Sequence, residues 1–209
     1  EDKYFVKKIN ILGNNITYEN VIRNELEIDE GDPFNEILLN KSINNLKSLN
    51  LFSQVSTEII DDNVLKQKII NLKIEEKPTG EIMASAGYGT TGGSVGFGIK
   101  ENNFLGKGIK LDSNFTIESD SFKGKFAVTN PNYRNTDKSV YISAEASESD
   151  FYKSYGYKTN KTGIIIGTNF EYLNDFYFGL GNSNFYEKIE TNNEASSRMQ
   201  SQEGDYWDS

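Results

Sequence analysis

Apolar and polar positions follow two rhythms along this chain, and the change falls within Lys77–Tyr88, KPTGEIMASAGY. Before it, apolar residues recur with mixed helix and strand periods. After it, nearly every segment alternates with period two between glycines and asparagines. A domain boundary is expected there, with residues 1–77 as one domain and 78–209 as another.

In the first part, residues 4–12 (YFVKKINIL) read as a strand with Ile9 and Ile11 inward and Val6 out of phase, which marks a bulge. Gly13-Asn14-Asn15 supplies turn chemistry. Thr17 reads as a helix N-cap with Glu19 in the first turn, where a carboxylate is favoured, and Val21, Ile22 and Leu26 follow at helical spacing. A second helix starts near Asn35, with Leu39, Ile43 and Leu46 in one stripe and Leu38, Leu49 and Phe52 beside it. Asn50 ends it, because asparagine tolerates the left-handed backbone of helix exits. Val55, Thr57 and Ile59, then Ile70, Leu72 and Ile74, mark two strands around a turn at Asp61-Asp62-Asn63. The order is β-α-α-β-β, an α+β module with sheet edges that could add a strand from another chain.

In the second part, EIMASAGYG puts Ile82, Ala84, Ala86 and Tyr88 on one face and Glu81, Met83, Ser85 and Gly87 on the other. A strand of a membrane barrel reads this way, and so does one of a soluble sandwich. Val95, Phe97 and Ile99 share the next face. Ile109, Leu111, Phe115 and Ile117 then stand against Lys110, Asp112, Asn114, Thr116 and Glu118, and Phe122, Phe126 and Val128 against Lys123, Lys125 and Thr129. Charged residues at alternate positions of a long strand suit a wet lumen better than a dry sandwich core. Val140 to Ala146, Ile164 to Tyr172 and Phe176 to Leu180 add three segments. The total is about seven strands, most near the roughly 9–11 residues a tilted strand needs to cross a bilayer. The expected class is therefore a partial antiparallel transmembrane β-barrel.

Short turns at Asn102–Lys107, Pro131–Asp137 and Leu173–Asp175 would share one side of the barrel. Long connections, Ser149–Lys161 and the stretch from Lys188 onward, would share the other, the asymmetry of outer-membrane barrels. Tyr88, Phe104, Tyr133, Phe151, Tyr152, Tyr172 and Phe176 fall near strand ends, where aromatic girdles lie.

Composition narrows the chemistry. The 209 residues include no cysteine and no histidine. Disulfides, thiolate zinc sites, Ser-His-Asp and Cys-His catalysis and imidazole ligands are thereby removed together. Few enzyme chemistries survive, a carboxylate-only glycosidase among them. A formal charge of -9 argues against a nucleic-acid partner. No apolar run approaches the roughly 20 residues of a membrane helix, so a membrane role would use strands. The opening EDKYF lacks a signal peptide's basic and apolar regions and reads as a mature or excised beginning, which carries no cytoplasmic implication.

Three stretches of the first part, ILGNN, EGDPF and LKSLNLFSQV, make it resemble a POTRA domain, with Asn50 where that family usually has glycine. Beyond it, EEKPTGEIMASAGYGTTGG, ENNFLGKGIKL and VTNPNY are similar to the start of the BamA-family barrel, Asn132 being a small insertion between Pro131 and Tyr133. The resemblance covers nearly the whole chain. It implies a last POTRA module followed by the opening strands of a barrel of about sixteen, an even number being usual for bacterial barrels. The place implied is the bacterial outer membrane, with the N-terminal domain in the periplasm. The role implied is non-enzymatic: folding and inserting unfolded outer-membrane β-barrel clients by exchanging strands at a first-strand gate. That gate would be Gly80, Glu81, Ile82, Met83, Ala84, Ser85, Ala86, Gly87, Tyr88 and Gly89, acting through main-chain groups with Gly80 as hinge. Glu30, in the turn after the first helix, and Arg23, in that helix, match positions linked in the family to contact with an accessory lipoprotein. Outer-membrane lipid is the remaining partner, and no cofactor is implied. A POTRA-barrel secretion transporter of the two-partner type shares the plan and is the alternative.

Overall fold

A computed structural model describes residues 3–89, 92–136, 138–173 and 176–209. Its contacts gather into two units. One runs to Thr79 and takes in Asn102–Ile109; the other holds Gly80–Glu101 and Lys110–Ser209.

The first unit follows the order β1 (Phe5–Leu12), α1 (Glu19–Arg23), α2 (Glu36–Ser48), β2 (Phe52–Asp62) and β3 (Gln67–Glu76). Its sheet runs β1-β3-β2, with β1 parallel and β2 antiparallel to β3. Parallel pairing of β1 with β3 needs a crossover, which the two helices and β2 supply. The register of β1 slips between Val6 and Lys8, so Val6 and Ile9, three residues apart, both turn into the core. There they meet Ile28, Leu39 and Ile70, while Ile22, Leu46, Leu51, Phe52, Val55, Leu72 and Ile74 form the adjoining cluster. Asn35 caps α2 by accepting the N–H groups of Ile37 and Leu38, and Asn50 leaves the helix with φ 59°.

Two local expectations change. Tyr18, and not Thr17, occupies the α1 cap position, and no side chain caps that helix. Thr17 is instead drawn into the unit, 2% exposed, with its N–H on the Glu76 carboxylate at 2.6 Å. Asp61 and Asp62 are still in β2, opposite Lys68 and Gln67, and the turn lies beyond them. Lys68 Nζ reaches Asp61 Oδ1 at 2.6 Å, and Asp62 Oδ1 accepts the N–H groups of Val64 and Leu65. The two aspartates thus close the turn from the strand side.

The second unit is built on one eight-stranded sheet. Its strands are β4 (Gly80–Gly89), β5 (Gly92–Phe104), β6 (Ile109–Glu118), β7 (Ser121–Asn130), β8 (Lys138–Phe151), β9 (Tyr157–Leu173), β10 (Phe176–Thr191) and β11 (Gly204–Asp208). Spatial order follows sequence order, so β4 and β11 are the two edges. All seven expected segments are strands. The eighth, β11, has adjacent aromatics, Tyr206 and Trp207, and so offers no period-two signal.

Connections differ more from expectation. β8 and β9 run on until only residues 152–156 separate them, bent by α3 (Tyr152–Tyr155) and by Gly156 at φ 74°. The stretch after Lys188 is strand as far as Thr191, and α4 (Ser197–Gln200) and β11 follow. The loop asymmetry expected from sequence is therefore replaced by long strands, 14, 17 and 16 residues in β8, β9 and β10. Residues 174 and 175 of the turn expected at Leu173–Asp175, the end of Pro131–Asp137 and the threonines at 90 and 91 lie outside the described residues.

The two faces of this sheet are chemically opposite. One carries Ile82, Phe97, Phe115, Phe126, Ile142 and Ile166, all exposed. The other carries Lys100, Asp112, Lys125, Glu145, Lys161 and Glu187, with Lys125 Nζ 2.9 Å from Glu145 Oε1 and Lys161 Nζ 3.8 Å from Glu187 Oε2. A soluble sandwich would bury the apolar face against a second sheet, whereas those apolar side chains are exposed. Along β8 the apolar face runs Val140, Ile142, Ala144, Ala146 and then turns charged at Glu148 and Asp150, which Lys158 of β9 pairs. That change marks the end of an apolar band. On the polar face a Cβ at Gly163 or Gly167 would run into the rings of Phe185 and Tyr141, so those glycines let the aromatics lie flat on the backbone. No helix among the described residues is long and apolar enough to cross a membrane, a statement about helices alone.

Candidate functional site

The strand that leaves the first unit is also an edge of the sheet. Pro78 has no N–H to donate and biases Lys77 to extended backbone, so the β3 ladder ends there. Lys77 N–H reaches Leu51 O at 3.2 Å, and Thr79 O accepts the N–H of Asn102 at 3.3 Å. Gly80 then opens β4 opposite Glu101.

Along β4 the register with β5 is unbroken, from Gly80↔Glu101 to Gly89↔Gly92. Six of its ten pairs contain a glycine: Gly80/Glu101, Met83/Gly98, Ser85/Gly96, Gly87/Ser94, Tyr88/Gly93 and Gly89/Gly92. By contrast, only Phe115↔Gly124 contains one among the eight pairs of β6 with β7. Backbone bonds are similar in both ladders, but cross-strand side-chain pairs contribute about 0.2–1 kcal/mol each, so β4 is held mainly by its backbone. Its side chains are correspondingly bare, with Ile82 76% and Tyr88 91% exposed. The edge facing away from β5 has no partner strand among the described residues, and alternate residues of β4 direct their N–H and C=O groups toward it. All ten residues from Gly80 to Gly89 are thus brought into one continuous, weakly gripped edge.

Glu30 and Arg23 belong to the first unit, where both reach the backbone of β1. Glu30 Oε1 accepts the N–H of Ile9 at 2.9 Å, and Arg23 donates from Nη2 to Ile9 O at 3.2 Å. The two side chains approach to 3.9 Å, and Arg23 Nε also pairs with Glu19 at 2.7 Å. Together they reach both backbone groups of Ile9, an edge-strand residue that sits opposite Ile70 just beyond the bulge. Nearer the start of β1 the chain itself does this, with Gly31 N–H on Val6 O at 2.7 Å and Val6 N–H on Asp32 O at 2.9 Å. β1 is therefore a covered edge of the first unit, and β2 is the sheet's other edge strand.

Comparison with known proteins agrees with this layout. Residues 4–77 match the POTRA family, surface antigen variable number repeat. The outer membrane protein assembly factor BamA of Nitratidesulfovibrio vulgaris is 30% identical over 175 residues, 79% of this chain and 21% of that protein. BamA of Neorickettsia risticii is 30% identical over 196 residues, 90% of this chain and 25% of that protein. The chain is a relative of BamA. The crystal structure of BamA from Haemophilus ducreyi lacking POTRA domains 1-3 superposes with a TM-score of 0.77 at 25% identity, over 91% of this chain and 37% of that one. CdiB from Acinetobacter baumannii shares the fold, with a TM-score of 0.55 at 14% identity. The chain spans about a quarter or less of the length of these BamA relatives.

Sequence reasoning identified β4 through its small residues and its place after the boundary. It missed Thr17, Glu76 and Asn103, which converge on one hydrogen-bonded chain. Their only sequence signal is the NNFLGKG turn, which periodicity treats as punctuation.

Proposed function

We propose that this chain is the membrane-proximal POTRA module, residues 1–77, and the opening barrel strands, residues 78–209, of an outer-membrane β-barrel assembly factor. It sits in the bacterial outer membrane, with the POTRA module in the periplasm. Its task is to fold and insert client barrel proteins by strand exchange at β4, and no covalent chemistry is assigned to any residue. One observation carries this reading: β4 is an edge strand whose ladder to β5 is glycine-rich, next to a sheet face that only lipid suits.

The physics favours exchange over simple opening. An unsatisfied backbone group in hydrocarbon costs several kcal/mol, so an open barrel edge stays open only if another strand replaces its partner. A client strand offers equivalent hydrogen bonds, and β4 gives up few side-chain contacts in accepting it. The bare side chains of Ile82, Ala84, Ala86 and Tyr88 face outer-membrane lipid, and Gly80 is the hinge. Glu30 and Arg23 are proposed to present the covered β1 edge to an accessory lipoprotein.

The absence of cysteine from these 209 residues leaves no native thiol beside the probe positions. Single cysteines at Ile82, Ala84, Ala86 and Tyr88 of the full-length protein, set against the terminal strand of a stalled client barrel, are expected to crosslink in a register that steps by two. Crosslinks confined to the protein's own last strand at every stage of client assembly would sink strand exchange and favour a secretion channel.

A further inference from the structure

The NNFLGKG turn, Asn102–Gly108, has no task in strand exchange, yet it is assembled as part of the first unit. Its centre is Asn103, 7% exposed. Asn103 Oδ1 accepts the N–H of Gly108 at 2.8 Å, which fixes the amide and leaves Nδ2 to donate to Thr17 Oγ1, also at 2.8 Å. The Thr17 hydroxyl in turn donates to the Glu76 carboxylate. That carboxylate also accepts the N–H groups of Asn15, Ile16 and Thr17 at 2.9, 2.9 and 2.6 Å. A bond from Tyr18 N–H to Gly106 O, 2.8 Å, lies beside this chain.

The glycines of the turn fit the same surface. Gly106 has φ +72°, and a Cβ there would run into the Ile16 carbonyl oxygen. Gly108 has φ +66°, and a Cβ would sit 3.1 Å from Val21 Cγ1. Asparagine at one position and glycine at two are what a turn needs in order to lie against residues 16–21.

We propose that Asn103 is a positioning residue. The chain Asn103–Thr17–Glu76 is a latch that holds the β5–β6 turn in the POTRA unit, and client assembly depends on it. The reason is topological. β5 runs straight into this turn, so a held turn anchors the strand from which β4 must part and leaves β4 as the mobile member of the pair. This consequence rests on the strand-exchange reading; the latch itself does not.

The test uses the full-length protein in outer-membrane vesicles, with amide hydrogen exchange and client assembly read on the same samples. Asn103→Ala and Thr17→Val each leave one side of a buried hydrogen bond unmet. The Tyr18 and Gly108 amides are expected to exchange at least about fivefold faster in both variants, with a matching fall in assembly rate. The double variant should be no worse than either single one, Thr17→Ser should restore both readouts, and unchanged exchange at Ile70 and Leu72 reports an intact fold. Unchanged Tyr18 exchange in both variants overturns the latch. Faster exchange with normal assembly overturns its role in assembly. Failure of client crosslinks to β4 in the wild type would strike the strand-exchange reading and leave the exchange result standing.

Discussion

Glu76 sits at the end of β3 with competing influences on its carboxyl. Burial pushes its pKa up, but hydrogen bonds from the Thr17 hydroxyl and from the N–H groups of Thr17, Ile16 and Asn15 outweigh burial and hold it below the ordinary carboxylate value. A carboxyl depressed in the folded state stabilises the fold above its unfolded pKa, and that contribution is lost as pH falls through the folded value. Glu76→Gln is therefore expected to lower the stability of the POTRA unit by about 1–3 kcal/mol near neutral pH. The gap to wild type should narrow from about pH 4 downward. Exchange of the Ile70 and Leu72 amides at stepped pH measures this, and a gap constant with pH would contradict it. Gly13 is a second sensitive residue, with φ +97° and a Cβ that would run into Ile74 O. Gly13→Ala should cost about 1–3 kcal/mol through the strained left-handed backbone alone, read as a lowered midpoint in denaturant.

Helix α2 and strand β4 are built on opposite terms. The helix has a capped start at Asn35 and a buried stripe at Leu39 and Leu46, so propensity, cap and packing agree. Asn35→Ala should cost about 1 kcal/mol, measured by amide exchange at Leu39. β4 has no buried residue, and a glycine in six of its ten pairs with β5 leaves it loosely held. Gly89 has open space around it, so Gly89→Thr is expected to strengthen the β4 ladder by about 0.5–1 kcal/mol. Client assembly should then slow while β4 amide exchange slows with it. Faster assembly would argue that β4 works by being rigid.

At the scale of the whole molecule, the second unit depends on a solvent that differs between its two faces. Ile142 pairs with Ile166 in the middle of the apolar face, whereas Lys125 pairs with Glu145 on the polar one. Ile142→Lys in the full-length protein should cost about 2–4 kcal/mol on folding into lipid vesicles, while Lys125→Gln should change little. Equal effects at the two sites would contradict the assignment of lipid to one face and water to the other.

What the sequence determined by itself is what local physics controls. Strand period, helix stripe, the helix start near Asn35, the left-handed Asn50 and the β1 bulge are set within a few residues, where the chain's own geometry forces side chains to one face or another. The change of period within Lys77–Tyr88 was legible for the same reason. Tertiary structure alone decided the rest. Thr17 looked like a cap because its neighbours suit one, but a carboxylate 59 residues away and an amide 86 residues away offered its buried polar atoms better partners. β11 had no periodic signal and became a strand because β10 presented it an edge. The loose grip of β4 belongs to neither strand's pattern alone. It comes from the register, which sets the glycines of β5 opposite Met83, Ser85, Tyr88 and Gly89, and register exists only once the two strands have paired.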